Sequence, residues 1–181
     1  LGLTLAAWAL AWTRFEWFQP FQPFTFSPLW LGYILCINAL SHRRTGACML
    51  RDRPRHFILL FAASGAFWWF FEYLNRFVQN WYYVGVESFS PLQYFIFATL
   101  PFSTVLPAVL GTQEWLDSIF QPPNEPPPPA ARISGKRIPL IVLLLSCAGL
   151  ALIGVFPDYL FPLLWISPLL IIASWQALRG Q

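Results

Sequence analysis

Long, uninterrupted apolar stretches limit how this chain can fold more than any other feature of its sequence. An α-helix needs ~20 such residues to cross about 30 Å of hydrocarbon. Because these stretches do not alternate apolar with polar residues, they predict membrane helices and not the strands of a barrel. The predicted spans are residues 27–40, 57–75, 91–111, 138–156 and 159–178.

The first of these spans and the segment before it are short. Residues 27–40 reach a full span only if Phe24 and Phe26 extend them into the interface. Residues 1–13 are also apolar, but at 1.5 Å per residue they reach only ~20 Å. They lack the basic region and the cleavage site of a signal peptide, so we expect them to be the end of a truncated helix. The predicted fold is therefore all-α, a polytopic transmembrane helical bundle with about six crossings, the first truncated.

The composition agrees with a protein embedded in a membrane. The chain is 57% hydrophobic and 10% charged, whereas soluble domains are about half apolar and about one quarter charged. If the helices alternate in direction, most basic residues lie on one side, which the positive-inside rule assigns to the cytoplasm of a bacterial inner membrane. This distribution explains the net charge of +3 without nucleic acid as a partner. The cytoplasmic set is Arg43, Arg44, Arg51, Arg53, Arg55, Arg132, Lys136, Arg137 and Arg179, and the opposite side carries Arg14 and Arg76.

A proline-rich segment is the clearest linker in the chain. Residues 121–137 begin with QPPNEPPPPAA, and consecutive prolines favour an extended, semi-rigid spacer. It separates residues 1–120, with membrane helices 1–4 and aromatic outer loops, from residues 138–181, with helices 5–6. Residues 112–120 mix apolar and acidic side chains, which is typical of a short helix lying in the inner interface.

Proline also marks the outer side and the last span. Residues 14–27, RFEWFQPFQPFTFS, are rich in aromatic rings, which prefer the headgroup boundary, so we expect them to lie along the outer interface. Prolines within the last apolar run predict an interfacial piece followed by a half-helix. These prolines are Pro157, Pro162 and Pro168. The tripeptide Ser-Pro-Leu, which is well suited to begin a helix, recurs at residues 27–29, 90–92 and 167–169.

A polar face within residues 67–83 is the strongest candidate for a functional site. At spacings of three or four, the residues that share this face of a helix are Trp68, Glu72, Asn75, Arg76 and Gln79. A carboxylate costs ~2.5–3.5 kcal/mol at the bilayer centre on insertion scales, so such residues often mark function. Glu72 is therefore either a catalytic acid or one half of a structural ion pair with Arg76.

Residues 72–105 carry a partial pattern that resembles a known family. An acidic and an amide residue near a helix end are followed by Trp81-Tyr82-Tyr83 and by a helix that begins Pro91-Leu92-Gln93-Tyr94. This arrangement looks like the integral-membrane lycopene cyclase domain. The family's paired glutamates fall on Gln93 and Tyr94, which are not strong acids. The resemblance therefore implies that Glu72 would supply the proton, with Trp68, Trp69 and Tyr83 flanking a carbocation.

From the sequence, we expect the protein to have an outer-leaflet aromatic pocket that binds a lipid or isoprenoid. One form of this hypothesis is a carotenoid- or isoprenoid-cyclase-like enzyme. Aromatic residues make up 19% of the chain, and their rings offer broad contact to a long apolar ligand. The catalytic candidate is Glu72. The ligand-binding candidates are Trp68, Trp69, Asn75, Arg76, Asn80, Trp81, Tyr83, Gln93 and Tyr94.

The sequence also leaves two functions of other classes open. One is a non-catalytic membrane subunit or scaffold that packs against partner membrane proteins. The other is a small-solute transporter, which the scarcity of polar residues within the spans disfavours. The three cysteines form no C-x-x-C pair, so we expect no metal site and no disulfide framework. We also expect no cofactor.

Overall fold

The regular elements of the computed structural model are all helical in the part of the chain that it describes, residues 1–87, 89–120 and 135–180. The elements are α1 (Gly2–Thr13), a 3-10 helix (Glu16–Phe24), α2 (Phe26–Thr45), α3 (Met49–Asp52), α4 (Pro54–Val78), α5 (Pro91–Phe120), α6 (Arg137–Leu152) and α7 (Pro157–Arg179). The all-α prediction is confirmed. The proline-rich linker lies outside the described residues, except for its last positions.

Fewer helices can cross a membrane than the sequence predicted. Among the described residues, α4, α5 and α7 are long and apolar enough to span, and a fourth span exists if the 3-10 helix and α2 count as one despite a bend of 71° between them. The helix α6 has 16 residues, which at 1.5 Å each cover about 24 Å and not the about 30 Å of a hydrocarbon core. It is short because the chain turns after Leu152 to reach Pro157.

Two predicted helix boundaries are wrong. Residues 112–120 do not form a separate interfacial helix, because α5 continues through them to Phe120. The last segment is also one continuous helix, α7, and not an interfacial piece followed by a half-helix. Pro157 begins α7, where its missing N–H costs nothing, and Pro162 and Pro168 lie inside it. Membrane helices tolerate such prolines when neighbouring groups satisfy the backbone that they free.

The chain divides into two compact units, Leu1–Trp69 with Tyr83–Glu125 and Phe70–Tyr82 with Pro126–Gln181. The first unit is built mainly on the packing of α2 against α5. Gly111 of α5 makes this close approach possible, because a Cβ at its position would lie 3.1 Å from Cγ2 of Ile37. The hydroxyls of Tyr33 and Thr112 are hydrogen-bonded across the same helix pair at 2.6 Å.

The short helix α3 is held by side chains from both of these longer helices. Its first N–H groups have no partner within the helix, as at any helix N-terminus. Glu114 of α5 accepts a hydrogen bond from the N–H of Met49 at 3.0 Å, and Asn38 of α2 accepts one from the N–H of Leu50 at 3.0 Å. Glu114 also forms an ion pair with Arg53 at 3.0 Å. The polar end of α5 therefore has a structural role in organising the basic loop.

The second unit is built on a hairpin of α6 and α7. Gly149 of α6 lies under Leu163 of α7 so closely that a Cβ would collide with the Leu163 side chain. Small residues at helix contacts are typical of membrane proteins, where close backbone approach replaces the hydrophobic effect between helices. The buried core of this unit consists of Phe71, Leu74, Ile153 and Leu164.

Many large apolar side chains face outward, while several small polar side chains are buried beside the apolar cores. Asn38, Ser64 and Ser146 are among the buried residues, whereas Leu59 is 65% exposed and Leu145 is 67% exposed. Helix interfaces rich in small and hydroxyl-bearing residues, with large apolar side chains facing outward, are what lipid surroundings favour. Together with the long apolar helices, this distribution identifies an integral membrane protein.

Candidate functional site

The predicted site residues are divided between the two units. The first unit contains Trp68, Trp69, Tyr83, Gln93 and Tyr94. The second unit contains Glu72, Asn75, Arg76, Asn80 and Trp81.

Four predicted residues of the first unit meet in one assembly of rings, which we call the aromatic cluster. Its members are Trp68, Trp69, Tyr83, Tyr94, Phe95 and Phe102. Trp69 lies at its centre, stacked on Phe95 with ring centroids 5.2 Å apart and edge-on to Phe102 at 5.3 Å. Such offset and edge-to-face arrangements are the favoured geometries of aromatic pairs.

Hydrogen bonds fix the orientation of the two tryptophans in the aromatic cluster. The indole N–H of Trp69 donates to the hydroxyl of Thr99 at 2.9 Å, and that hydroxyl donates onward to the carbonyl of Phe95 at 2.6 Å. The indole N–H of Trp68 donates to the hydroxyl of Tyr83 at 3.4 Å. The ring faces are therefore held in place and form a rigid aromatic surface.

Sequence reasoning missed two members of the cluster, Phe95 and Phe102. Together with Thr99 they follow one another along α5 at spacings of four and three, which places them on one helix face. That spacing could have identified the shared helix face from the sequence. The sequence could not have identified what this face contacts, because no pattern within α5 shows that it meets Trp69 of α4.

Gln93, the remaining predicted residue of the first unit, begins α5. Its side-chain oxygen accepts a hydrogen bond from the N–H of Ser90 at 2.9 Å, and the hydroxyl of Ser90 accepts one from the N–H of Gln93 at 3.3 Å. This reciprocal pair is a capping box. The capping role predicted for Ser-Pro-Leu is confirmed here, whereas the copy at residues 167–169 lies inside α7.

In the second unit, polar residues fold the chain back after α4. The side chain of Asn75 donates to the carbonyl of Trp81 at 2.7 Å and accepts from the N–H of Asn80 at 2.8 Å. The carboxylate of Glu72 accepts a hydrogen bond from the indole N–H of Trp81 at 2.9 Å. We call this arrangement the Trp81 turn. It uses four predicted site residues to stabilise local structure, and the ring of Trp81 packs on Trp165 of α7 at 5.3 Å.

The predicted polar face is shorter than expected, and its ion pair differs. Gln79 follows the last residue of α4 with a left-handed φ of 48°, and its N–H donates to the carbonyl of Asn75 at 2.8 Å. It therefore terminates the helix and leaves the shared face. Within the described ranges the ion pair is that of Arg53 with Glu114, so the expected pairing of Glu72 with Arg76 is not formed.

Cavities occur at other places than the predicted site. One of about 460 Å³ lies between α1, the 3-10 helix and α2, and one of about 420 Å³ lies between α2 and α5. In the second unit, a cavity of about 270 Å³ lies between the end of α4 and α6. No group of three or more potential metal-ligating side chains is found among the residues that the structure describes.

Fold and site together define a class: a helical integral membrane protein with an ordered aromatic surface. Comparison of the chain with protein-family models, with curated proteins and with solved structures gives no match in any of the three.

Proposed function

We propose that this chain is a multi-pass protein of the bacterial inner membrane that holds a lipid or isoprenoid against its aromatic cluster. The observation that carries the proposal is the meeting of Trp68, Trp69, Tyr83 and Tyr94 in one ordered assembly. The cluster is partly open, since Phe95 is 52% exposed and Tyr83 is 37% exposed. Open ring faces at fixed angles give a long apolar ligand broad contact at little cost in side-chain entropy.

Mass spectrometry of molecules that copurify with the protein tests this proposal. The purified wild type is compared with Trp69→Leu, which removes the central ring, and with Trp175→Leu, which removes a 53% exposed tryptophan of α7. We expect an isoprenoid, a polyene or one enriched lipid species to accompany the wild type and Trp175→Leu, and to be lost from Trp69→Leu. Bulk phospholipid in membrane proportions from all three proteins contradicts the proposal.

A cyclase-like reaction is the catalytic form of this proposal, and it rests on the resemblance to the lycopene cyclase domain. The proton would come from Glu72, whose carboxylate accepts the Trp81 indole N–H. Glu72→Gln retains an oxygen that can accept this hydrogen bond but has no acidic proton, so it separates catalysis from folding. Loss of turnover in folded Glu72→Gln supports cyclisation, and full turnover overturns it.

A non-catalytic subunit or scaffold is the second candidate function. In the most apolar 18-residue stretch of each of α4, α5 and α7, the buried residues make up only 33%, 28% and 17%, respectively. Such open helix faces require lipid or the helices of partner proteins. Crosslinking in native membranes followed by purification tests this candidate. A reproducible heteromeric complex supports it, and a stable lone monomer contradicts it.

We also propose that the basic loops are cytoplasmic. The segment from the end of α2 to the start of α4, which we call the basic loop, is placed inside by the positive-inside rule. Its basic residues are Arg43, Arg44, Arg51, Arg53 and Arg55. Lys136 and Arg137 share that side when α4 and α5 both cross. For Arg179 to share it as well, the short α6 must cross together with α7. A helix shorter than the hydrocarbon core can do so when the bilayer thins locally.

A further inference from the structure

The helices α1 and α2 are in contact near the start of α1 and are joined by the 3-10 helix at the other end. Near the start of α1, a Cβ at Gly32 would lie 3.2 Å from Cγ2 of Thr4, and the hydroxyl of Thr4 lies 3.2 Å from the sulfur of Cys36. At the far end, the side chain of Gln22 in the 3-10 helix donates to the carbonyl of Ala11 at 2.9 Å. A space lies between the second half of α1, Gln22 and the first turns of α2.

The space is the cavity of about 460 Å³, within the range of about 300–1,000 Å³ that is usual for small-molecule sites. We call it the wedge cavity. Trp8 and Trp30 meet edge-to-face at 6.4 Å and close its inner end. The lining residues are Trp8, Ala11, Trp12, Arg14, Gln22, Thr25, Phe26, Leu29 and Trp30.

Polar and apolar groups are separated along the wedge cavity. Arg14, Gln22 and Thr25 lie where α1 ends and α2 begins. Trp8 lies six positions before Arg14, which at 1.5 Å per residue is about 9 Å further along the helix. The polar lining residues therefore gather at one end, which we call the mouth, beside Trp12 and Phe26, and the rest of the lining toward Trp8 and Trp30 is apolar. A lipid with its headgroup at the membrane boundary has its polar group at one end in the same way.

The position of the mouth agrees with that boundary. The 3-10 helix that covers it exposes large rings, with Trp17 66% exposed and Phe21 59% exposed. Aromatic rings concentrate at the level of the headgroups. Prolines at two positions of this helix keep it distinct from α2, from which it bends by 71°. A lipid in the cavity would therefore have its phosphate at the depth where phosphates lie.

The charges of the lining residues favour an anionic lipid. Arg14 is the cation among the lining residues, and that set contains no acidic side chain that would receive an ammonium group. A guanidinium offers several N–H donors to one phosphate. Arg14 itself has a left-handed φ of 50° at the end of α1, an uncommon conformation for a residue other than glycine.

We propose that the wedge cavity is a binding site for an anionic phospholipid. The phosphate binds Arg14 at the mouth, and one acyl chain lies along Trp12 and Trp30. The site is separate from the aromatic cluster, with which it shares no residue, so either proposal can fail without the other.

Lipid titration of the purified protein tests the site. The protein in neutral detergent receives phosphatidylglycerol or phosphatidylcholine, and bound lipid is counted by native mass spectrometry. Arg14→Asn removes the charge and keeps a residue that tolerates left-handed φ. Arg55→Gln, at an exposed position in the first turn of α4, removes the same charge elsewhere and is the matched control.

We expect phosphatidylglycerol to bind the wild type and Arg55→Gln with equal affinity. It should bind Arg14→Asn about tenfold more weakly, because that variant loses one charge-assisted hydrogen bond. Phosphatidylcholine should bind all three proteins weakly. Equal affinity of the wild type for both lipids overturns the proposal, as does unchanged phosphatidylglycerol affinity in Arg14→Asn. If Arg14→Asn does not fold, Trp12→Leu replaces it, because Trp12 is 76% exposed; unchanged affinity in that variant also overturns the site.

Discussion

The hydroxyl of Ser64 in α4 donates a hydrogen bond to the backbone carbonyl of Phe102 in α5 at 2.5 Å. The same hydroxyl accepts one from the N–H of Leu106 at 3.1 Å. In a regular α-helix these two backbone groups bond to each other, since they are four residues apart. The Ser64 hydroxyl thus connects the Phe102 carbonyl to the Leu106 N–H. Leu106 directly precedes Pro107, and a proline inside a helix disturbs its backbone hydrogen bonds. One small side chain stabilises both the helix contact and the interior of α5.

The first prediction concerns Ser64→Ala. Removing the bridging hydroxyl leaves two buried backbone groups with poorer partners, so we expect a loss of about 1 to 2 kcal/mol in the free energy of unfolding. The measurement is reversible unfolding in mixed micelles. Ser103→Ala is the control, because that hydroxyl donates only to the Leu100 carbonyl of its own helix. An equal loss in the two variants contradicts the bridging role.

The second prediction separates the two functions of Glu114. Arg53 is 58% exposed, so its ion pair with Glu114 is worth about 0 to 1 kcal/mol. The cap on the Met49 N–H is partly buried, and a lost cap costs about 1 kcal/mol. We therefore expect Glu114→Ala to destabilise the protein more than Arg53→Gln does. Thermal unfolding of both variants checks the order. Because Glu114→Ala removes the cap and the ion pair together, an equal loss in the two variants would show that the ion pair dominates.

The third prediction concerns the Trp81 turn. Asn75→Ala removes hydrogen bonds to Asn80 and Trp81, and we expect it to cost about 1 to 3 kcal/mol and to speed amide exchange after α4. Tyr82→Ala is the control, because Tyr82 is 86% exposed. Hydrogen exchange read by mass spectrometry measures both variants. Slow exchange in Asn75→Ala would mean that other contacts hold the turn.

The fourth prediction compares two glycines of the second unit. A Cβ at Gly149 collides with the Leu163 side chain, whereas a Cβ at Gly154 lies at ordinary contact distance, 3.5 Å, from Phe77. We expect Gly149→Ala to destabilise the hairpin of α6 and α7 by up to about 1 kcal/mol, because the end of the Leu163 side chain must turn away, and Gly154→Ala to have little effect. Unfolding in detergent tests the difference. Equal stability of the two variants would show that Leu163 moves aside freely.

The fifth prediction concerns sidedness. In a chain whose native cysteines are replaced by alanine, Ala47→Cys and Tyr82→Cys place single thiols at exposed positions of two loops. With the basic loop inside, a membrane-impermeant maleimide applied to intact cells should label Tyr82→Cys and not Ala47→Cys. Permeabilised cells provide the control, in which both thiols react. The opposite labelling pattern reverses the proposed topology.

The sequence predicted the features that depend on residues close together along the chain, namely the helices and one helix cap. The apolar runs predicted helices that the structure places at similar positions, because continuous apolar segments in lipid must satisfy their backbone internally. The capping box of Ser90 and Gln93 is visible in sequence for the same reason: the residues that form it are three apart. The left-handed turn at Gln79 was not predictable from spacing, since nothing in the residue type requires a helix to end there.

By itself, the sequence determined the all-α class and the long apolar helices of a membrane protein. It left Glu72 either as a catalytic acid or as an ion-pair partner of Arg76. The tertiary structure decided which polar groups meet. It brings Ser64 to the backbone of Phe102 and Glu72 to the indole of Trp81. Hydropathy is a property of each segment, and therefore readable from it. A hydrogen bond between elements depends on helix rotation, depth and crossing, which are set by side chains that the segment does not contain.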